Sequence, residues 1–208
     1  MARPVQLFHA PTSPYVRKVM ACILLRGLQG RVELIPTRPA ENPGALQAAN
    51  PLGKVPCLVT AEGTAIFDSP VICEYLDGLG NAQPLFPSPG PARIASLTLQ
   101  ALADGLCDAA VARQQSRAQQ EDGAAPTPRQ SAFQERQMAA IRRGIAALDA
   151  QPPQGLAEIG AVAAACALGY LDLRIPELGW RAIHPRLATW LASVEASPAL
   201  ARTAPPAG

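Results

Sequence analysis

Charge is scarce in this chain of 208 residues: Asp, Glu, Lys and Arg together make up 16%, and the formal net charge is +2. The balance is even along its length. Residues 1–80 hold seven basic and six acidic side chains, and residues 81–208 hold eleven and ten. Neither part carries the basic footprint that nucleic acid requires, so no nucleic-acid partner is expected. Aromatic residues are also few, at 4%. No apolar run stands out at the ~20 residues of a membrane span, so no membrane partner is expected. The opening residues MARPVQLFHAPTSP lack the apolar segment of a signal peptide. No CxxC pair occurs among Cys22, Cys57, Cys73, Cys107 and Cys166. Their odd number and wide spacing argue against a zinc site or a disulfide framework, so no metal is expected. They read as small buried hydrophobes in a reducing cytoplasm.

What is present is a globular composition, 49% apolar, with Ala-rich stretches in the second half that favour helix. Residues 4–8 read as a strand. Thr12-Ser13-Pro14 reads as a helix start, a hydroxyl cap followed by Pro at the first helical position. Val16, Val19, Met20, Ile23 and Leu24 then repeat at helical spacing until Gly27. Residues 32–35 read as a second strand, 41–49 as a weak helix, and 57–60 with 64–67 as a hairpin about Glu62-Gly63. Ser69-Pro70 reads as the cap of another helix. The order β-α-β-α-β-β-α predicts a mixed four-stranded sheet with helices on its faces. Residues 81–91 are Pro-rich and read as a linker. Beyond it helices are predicted near 92–120, 128–150, 156–171 and 185–195. The domains are thus expected at 1–80 and 92–208.

SPYVRKV at 13–19, NPLGKVPCL at 50–58 and FDSPVICEYL at 67–76, in this order and spacing, resemble the soluble glutathione transferases. The resemblance covers the whole chain. It is closest to bacterial members with a serine at the first helix; Phe8 and His9 stand where other classes keep a tyrosine. It implies an α/β, thioredoxin-like glutathione-binding domain followed by an all-helical domain, a cytoplasmic homodimer, and glutathione as co-substrate. The expected reaction is addition of the glutathione thiolate to a small hydrophobic electrophile. Isomerisation, dehalogenation or peroxide reduction by the same thiolate is a close relative of that reading. A non-catalytic binding or interaction module is the rival from another class.

A free thiol has a pKa of ~8.5, and lowering it by two units takes ~2.7 kcal/mol of preferential thiolate stabilisation. A helix N-terminus plus one hydroxyl can supply that. Ser13 is the expected donor, with Thr12 the competing hydroxyl. Ser13-Pro14-Tyr15-Val16 has no thiol where a redox site would hold Cys-Pro-x-Cys, so disulfide exchange has no nucleophile there. The resemblance further implies a cis peptide before Pro56, which would present the Val55 N–H and C=O to glutathione like an added strand. Lys54 or Arg38 is expected at the glycyl carboxylate. Ser69 and Asp68 are expected at the γ-glutamyl carboxylate and ammonium; the family usually has Glu where Asp68 stands. Asp104 lies where some classes reach across a dimer, but beside Gly105 it reads more simply as a solvated helix residue. Gly155 is expected to cap the helix near 156. The electrophile pocket is expected to be apolar, between Pro11, Tyr15, the helix at 92–120 and the chain end.

Overall fold

The computed structural model describes residues 4–41, 43–119 and 125–206. Four strands, β1 (Val5–His9), β2 (Val32–Pro36), β3 (Cys57–Val59) and β4 (Ala65–Ile66), form one sheet in the order β2-β1-β3-β4. β1 and β2 run parallel, with Val5 opposite Val32 and His9 opposite Pro36. β3 pairs antiparallel with both β1 and β4. Three helices accompany the sheet: α1 (Pro14–Leu25), α2 (Gly44–Ala49) and α3 (Ser69–Leu79). This is the mixed four-stranded sheet that the order of elements predicts, and the thioredoxin-like arrangement that the resemblance implies.

The rest is helical: α4 (Pro91–Ala118), α5 (Pro128–Ala150), α6 (Ile159–Arg174), α7 (Trp180–Ile183), α8 (Pro185–Glu195) and α9 (Pro198–Ala201). α5 starts where Thr127 and Gln130 make a capping box, which satisfies two helix-end donors reciprocally. α6 is apolar nearly all round and buried from Ile159 through Leu168, as an all-apolar helix must be. It packs against α4 on one side and α1 on the other. One apolar cluster therefore runs from Leu7, Leu58 and Ile72 through Val19 and Cys22 to Ala163, Leu168 and Leu191. The linker is tied down rather than draped: Asp77 accepts from the N–H groups of Leu85 and Phe86, and Leu85 C=O accepts from Ile159 N–H. Arg26 Nε sits 2.8 Å from Asp77 Oδ1 as a buried charge pair. The same guanidinium donates to the Asp77 and Gly80 carbonyls.

Several expectations change. α6 begins at Ile159, three residues late, because Gly155 turns the chain with φ 56° and Glu158 takes the cap position. Asp68, not Ser69, occupies the cap position of α3, and its side chain makes no capping bond. α4 does contain an 18-residue window of mean hydropathy 1.3, long and apolar enough by composition to cross a membrane. The sequence reading missed it because Ser, Thr and Gln interrupt the run. In this fold it packs on α5 and α6. α7 and α9, four residues each, are too short to show a periodic signature.

Candidate functional site

Ser13 stands at the cap position of α1. Its Oγ accepts the Val16 N–H at 3.3 Å, and its own N–H donates to Ala10 C=O at 3.1 Å. Capping uses an oxygen lone pair and leaves the hydroxyl proton free to donate. Pro14 has no N–H, so Tyr15 N–H is the backbone donor left over at the helix tip among the described residues. One hydroxyl and one amide thus face outward where the helix dipole favours an anion. Both candidate hydroxyls, Thr12 and Ser13, line a small cavity together with Pro11, Pro14, Arg17, Tyr170 and Pro205. Its far wall comes from α6 and the chain end, while Tyr15 turns away to donate to Asp108 of α4 at 2.5 Å. Burial first, and the Asp108 carboxylate second, push the Tyr15 phenol well above its usual range, so it stays neutral.

The segment before β3 is held by a side chain that the sequence reading passed over. Asn50 Nδ2 donates to Lys54 C=O at 2.9 Å, and Asn50 Oδ1 accepts from Leu52 N–H at 3.0 Å. Gly53 closes this turn at φ 61°, a region that favours glycine. The Val55–Pro56 peptide that follows is cis. Val55 N–H and C=O make no hydrogen bond to the described residues, so this backbone edge can pair with an extended ligand. Ser69 is 1% exposed. Asp68 beside it is exposed.

The remaining expected residues divide. Lys54 is exposed. Arg38 is exposed too and pairs with Glu41 at 3.1 Å. Asp104 is not solvated. Both its oxygens accept from Lys18 Nζ at 2.7 Å, joining α1 to α4, with Lys18 only 1% and Asp104 20% exposed. Burial raises the Asp104 carboxyl above its ordinary value; Lys18 pulls it back, and Asp108 and Asp68 add to the rise.

The thiols offer no competing nucleophile. All five are free and buried. Burial pushes Cys57 and Cys166 up to about 11. Cys107 lies well above its usual value through burial, and Cys22 through its hydrogen bond with Cys73 and burial. Thiols in such surroundings are inert. No cluster of three His, Cys, Asp or Glu side chains that could hold a metal occurs among the described residues.

Three comparisons bear on the site. The family described as "Glutathione S-transferase, N-terminal domain" matches residues 12–79. The GST-like protein YibF of Escherichia coli (strain K12), itself uncharacterized, is 33% identical over 210 residues, covering 97% of this chain and 99% of its own. A glutathione transferase family member from Pseudomonas fluorescens Pf-5, with bound glutathione, is 40% identical. Its structure superimposes with a TM-score of 0.86 over 97% of this chain and 99% of that one. A second structure from the same source, with bound S-(propanoic acid)-glutathione, gives 38% identity and a TM-score of 0.83, with 98% of each chain covered.

Proposed function

Because this chain belongs to the glutathione S-transferase family, we propose that it binds glutathione, holds it as the thiolate at Ser13, and adds it to a small, largely hydrophobic electrophile. The observation that carries this reading is the tip of α1, where the Ser13 hydroxyl proton and Tyr15 N–H are both unspent. Glutathione bound to the Pseudomonas relative supports the co-substrate. A glutathione already substituted on sulfur, bound to the second structure, supports addition at that sulfur. The tripeptide would lie along the free Val55 edge, with its γ-glutamyl end at Ser69 and Asp68. Lys54 and Arg38 are exposed cations, either of which could meet the glycyl carboxylate, Arg38 by leaving Glu41. No metal is needed for this chemistry.

We assign Asp104 to docking the two parts of its own chain, because Lys18 already holds both of its oxygens. A homodimer is part of the proposal. Val71 of α3 and Ile94 of α4 remain 52% and 64% exposed, and these are the faces proposed to pair. The buried, unpaired thiols fit a cytoplasmic setting.

The test is Ser13→Ala. The pKa of enzyme-bound glutathione, read from thiolate absorbance against pH, is expected to rise. Turnover near pH ~7 should fall roughly ten- to a thousandfold, up to the range for losing one oxyanion donor. The variant also loses its helix cap, at about 1 kcal/mol of stability, so unfolding is measured in parallel. Lost stability with an unchanged bound-thiol pKa and unchanged turnover would make Ser13 a cap alone and pass the thiolate to Thr12 or the backbone.

A further inference from the structure

Arg17 lies one helical turn beyond Ser13 on α1, four residues on and therefore on the same face. It lines the same cavity as Ser13 and Thr12, opposite Pro205. A guanidinium carries five N–H donors in a rigid fork. Here one hydrogen bond is made, from Nη2 to Leu200 C=O at 3.3 Å. The Nε atom is buried without any partner among the described residues, and none of the ion pairs among them involves Arg17. Leaving a charged donor buried and unmatched is costly. The fold nevertheless makes room for it: Gly169 of α6 packs so closely that a Cβ there would overlap Arg17 Nη1. Of the neighbouring cations, Lys18 is committed to Asp104, while Arg174 lies over the Tyr170 ring that lines the same cavity, its Nε likewise buried without a partner among the described residues. Arg17 is thus a cation beside the proposed thiolate position, on the wall of this small cavity.

We propose that Arg17 selects the electrophile: the acceptor is a short-chain unsaturated acid whose carboxylate is gripped by this guanidinium while its β-carbon meets the glutathione sulfur. This rests on the glutathione-transferase reading above and replaces its largely hydrophobic electrophile with a charged one. A carboxylate matches the fork in size and geometry and can accept two parallel hydrogen bonds. In the addition, the sulfur pair forms the S–C bond to the β-carbon, and the C=C π pair moves toward the α-carbon and the carboxylate oxygens. The α-carbon then takes a proton from water. Negative charge grows on the carboxylate as the bond forms, so the Arg17 donors oppose that charge more strongly in the transition state than before it. A free carboxylate ordinarily makes a poor acceptor, since it repels a thiolate; a cation in this place removes that handicap.

Binding of stable product mimics tests the idea without needing turnover. Glutathione, S-propylglutathione and S-(2-carboxyethyl)glutathione are titrated calorimetrically into the wild type, Arg17→Met and Arg17→Lys. The wild type should bind the carboxyethyl conjugate at least about tenfold more tightly than the propyl one, the scale of a charge-assisted hydrogen bond. That ratio should fall to within about threefold in Arg17→Met and stay intermediate in Arg17→Lys, which keeps the charge but loses the fork. Equal affinities in the wild type overturn the proposal outright, whether or not the variants fold. So does Arg17→Met if it weakens unsubstituted glutathione by the same factor, because the guanidinium then serves the tripeptide. Failure of the wild type to bind any of the three defeats the glutathione reading itself, and this inference with it.

Discussion

Replacing Lys18 or Asp104 should separate the docking of the two parts of the chain from the chemistry proposed at Ser13. The pair is close, with Nζ 2.7 Å from each carboxylate oxygen, and it is unequally buried: Lys18 is 1% exposed and Asp104 20%. Breaking a buried ion pair by removing one partner costs about 3–5 kcal/mol, mostly for the charge left behind. The inequality sets an order. Lys18→Met strands a carboxylate that water can reach and that can take up a proton, so about 3 kcal/mol is expected. Asp104→Leu strands an ammonium with no access to water, so a loss nearer 5 kcal/mol is expected. The double variant strands nothing and should lie within about 1–2 kcal/mol of the wild type, which makes the coupling energy large. Against a total stability of about 5–15 kcal/mol, each single variant shifts a urea midpoint visibly. The pH dependence has a definite sign. Asp104 sits above its ordinary value because burial outweighs Lys18. Such a group holds its proton in the folded chain at pH values where the unfolded chain has lost it, so its contribution falls as pH rises through that interval. Removing Lys18 takes away the attraction that lowers this carboxyl and widens the interval upward. The stability gap between Lys18→Met and the wild type should therefore shrink as pH is lowered from ~7 toward ~4. Single variants that each cost under ~1 kcal/mol, or a double variant as unstable as the two losses added, would refute a desolvated pair.

Ser69→Ala and Asp68→Asn should each weaken calorimetric glutathione binding by roughly 1–3 kcal/mol, the range for hydrogen bonds to charged groups; unchanged affinity in both, with folding intact, removes the tripeptide from the start of α3. Gly160→Ala should lower the thermal midpoint, because its Cβ would stand 2.6 Å from Ser96 C=O and 2.9 Å from Leu99 Cβ. Backbone cannot yield as a side-chain end does, so an overpacking cost of about 1–3 kcal/mol is expected, and an unshifted midpoint would mean that α4 and α6 can separate freely. Light scattering at micromolar concentration should give twice the monomer mass, and Val71→Glu with Ile94→Glu should halve it; a monomeric wild type ends the dimer proposal.

How much of this was legible in the sequence depends on whether a feature is local. The sheet order, the α1 start at Thr12-Ser13-Pro14 and the bounds of α5 and α8 follow from caps, prolines and periodicity within a few residues of each element. The start of α6 did not follow, since residues 156–158 are as apolar or helix-compatible as what comes after and only the Gly155 turn decides the matter. Ser69 showed the same weakness: Asp-Ser-Pro offers two cap candidates one residue apart, and the backbone puts Asp68 in the cap position. The candidate site was read from three motifs. What those motifs did not contain is the set of long-range pairings around them, such as Lys18 with Asp104, 86 residues apart, and Tyr15 with Asp108, 93 apart.

Helix α1 shows why those pairings matter for function. Its successive residues point in different directions, and each direction has its own task. Ser13 opens the helix, Tyr15 and Lys18 fasten it to α4, and Val16, Val19 and Cys22 seal it into the core. Arg17 reaches past Gly169 to the chain end. A periodicity reading sees only the apolar stripe and counts Tyr15, Arg17 and Lys18 as the polar face. Yet that polar face is where the sheet-bearing part meets the helical part, so its residues are buried by elements encoded far along the chain. One of the chain's two lysines, set among sixteen arginines, was the available signal: a compact ammonium suits a tight single-carboxylate pairing better than a forked guanidinium does. The helix that carries the Ser13 hydroxyl, the proposed thiolate donor, is thereby fastened to α4, so the position of Ser13 depends on Asp104 and Asp108 even though neither lines the cavity beside it.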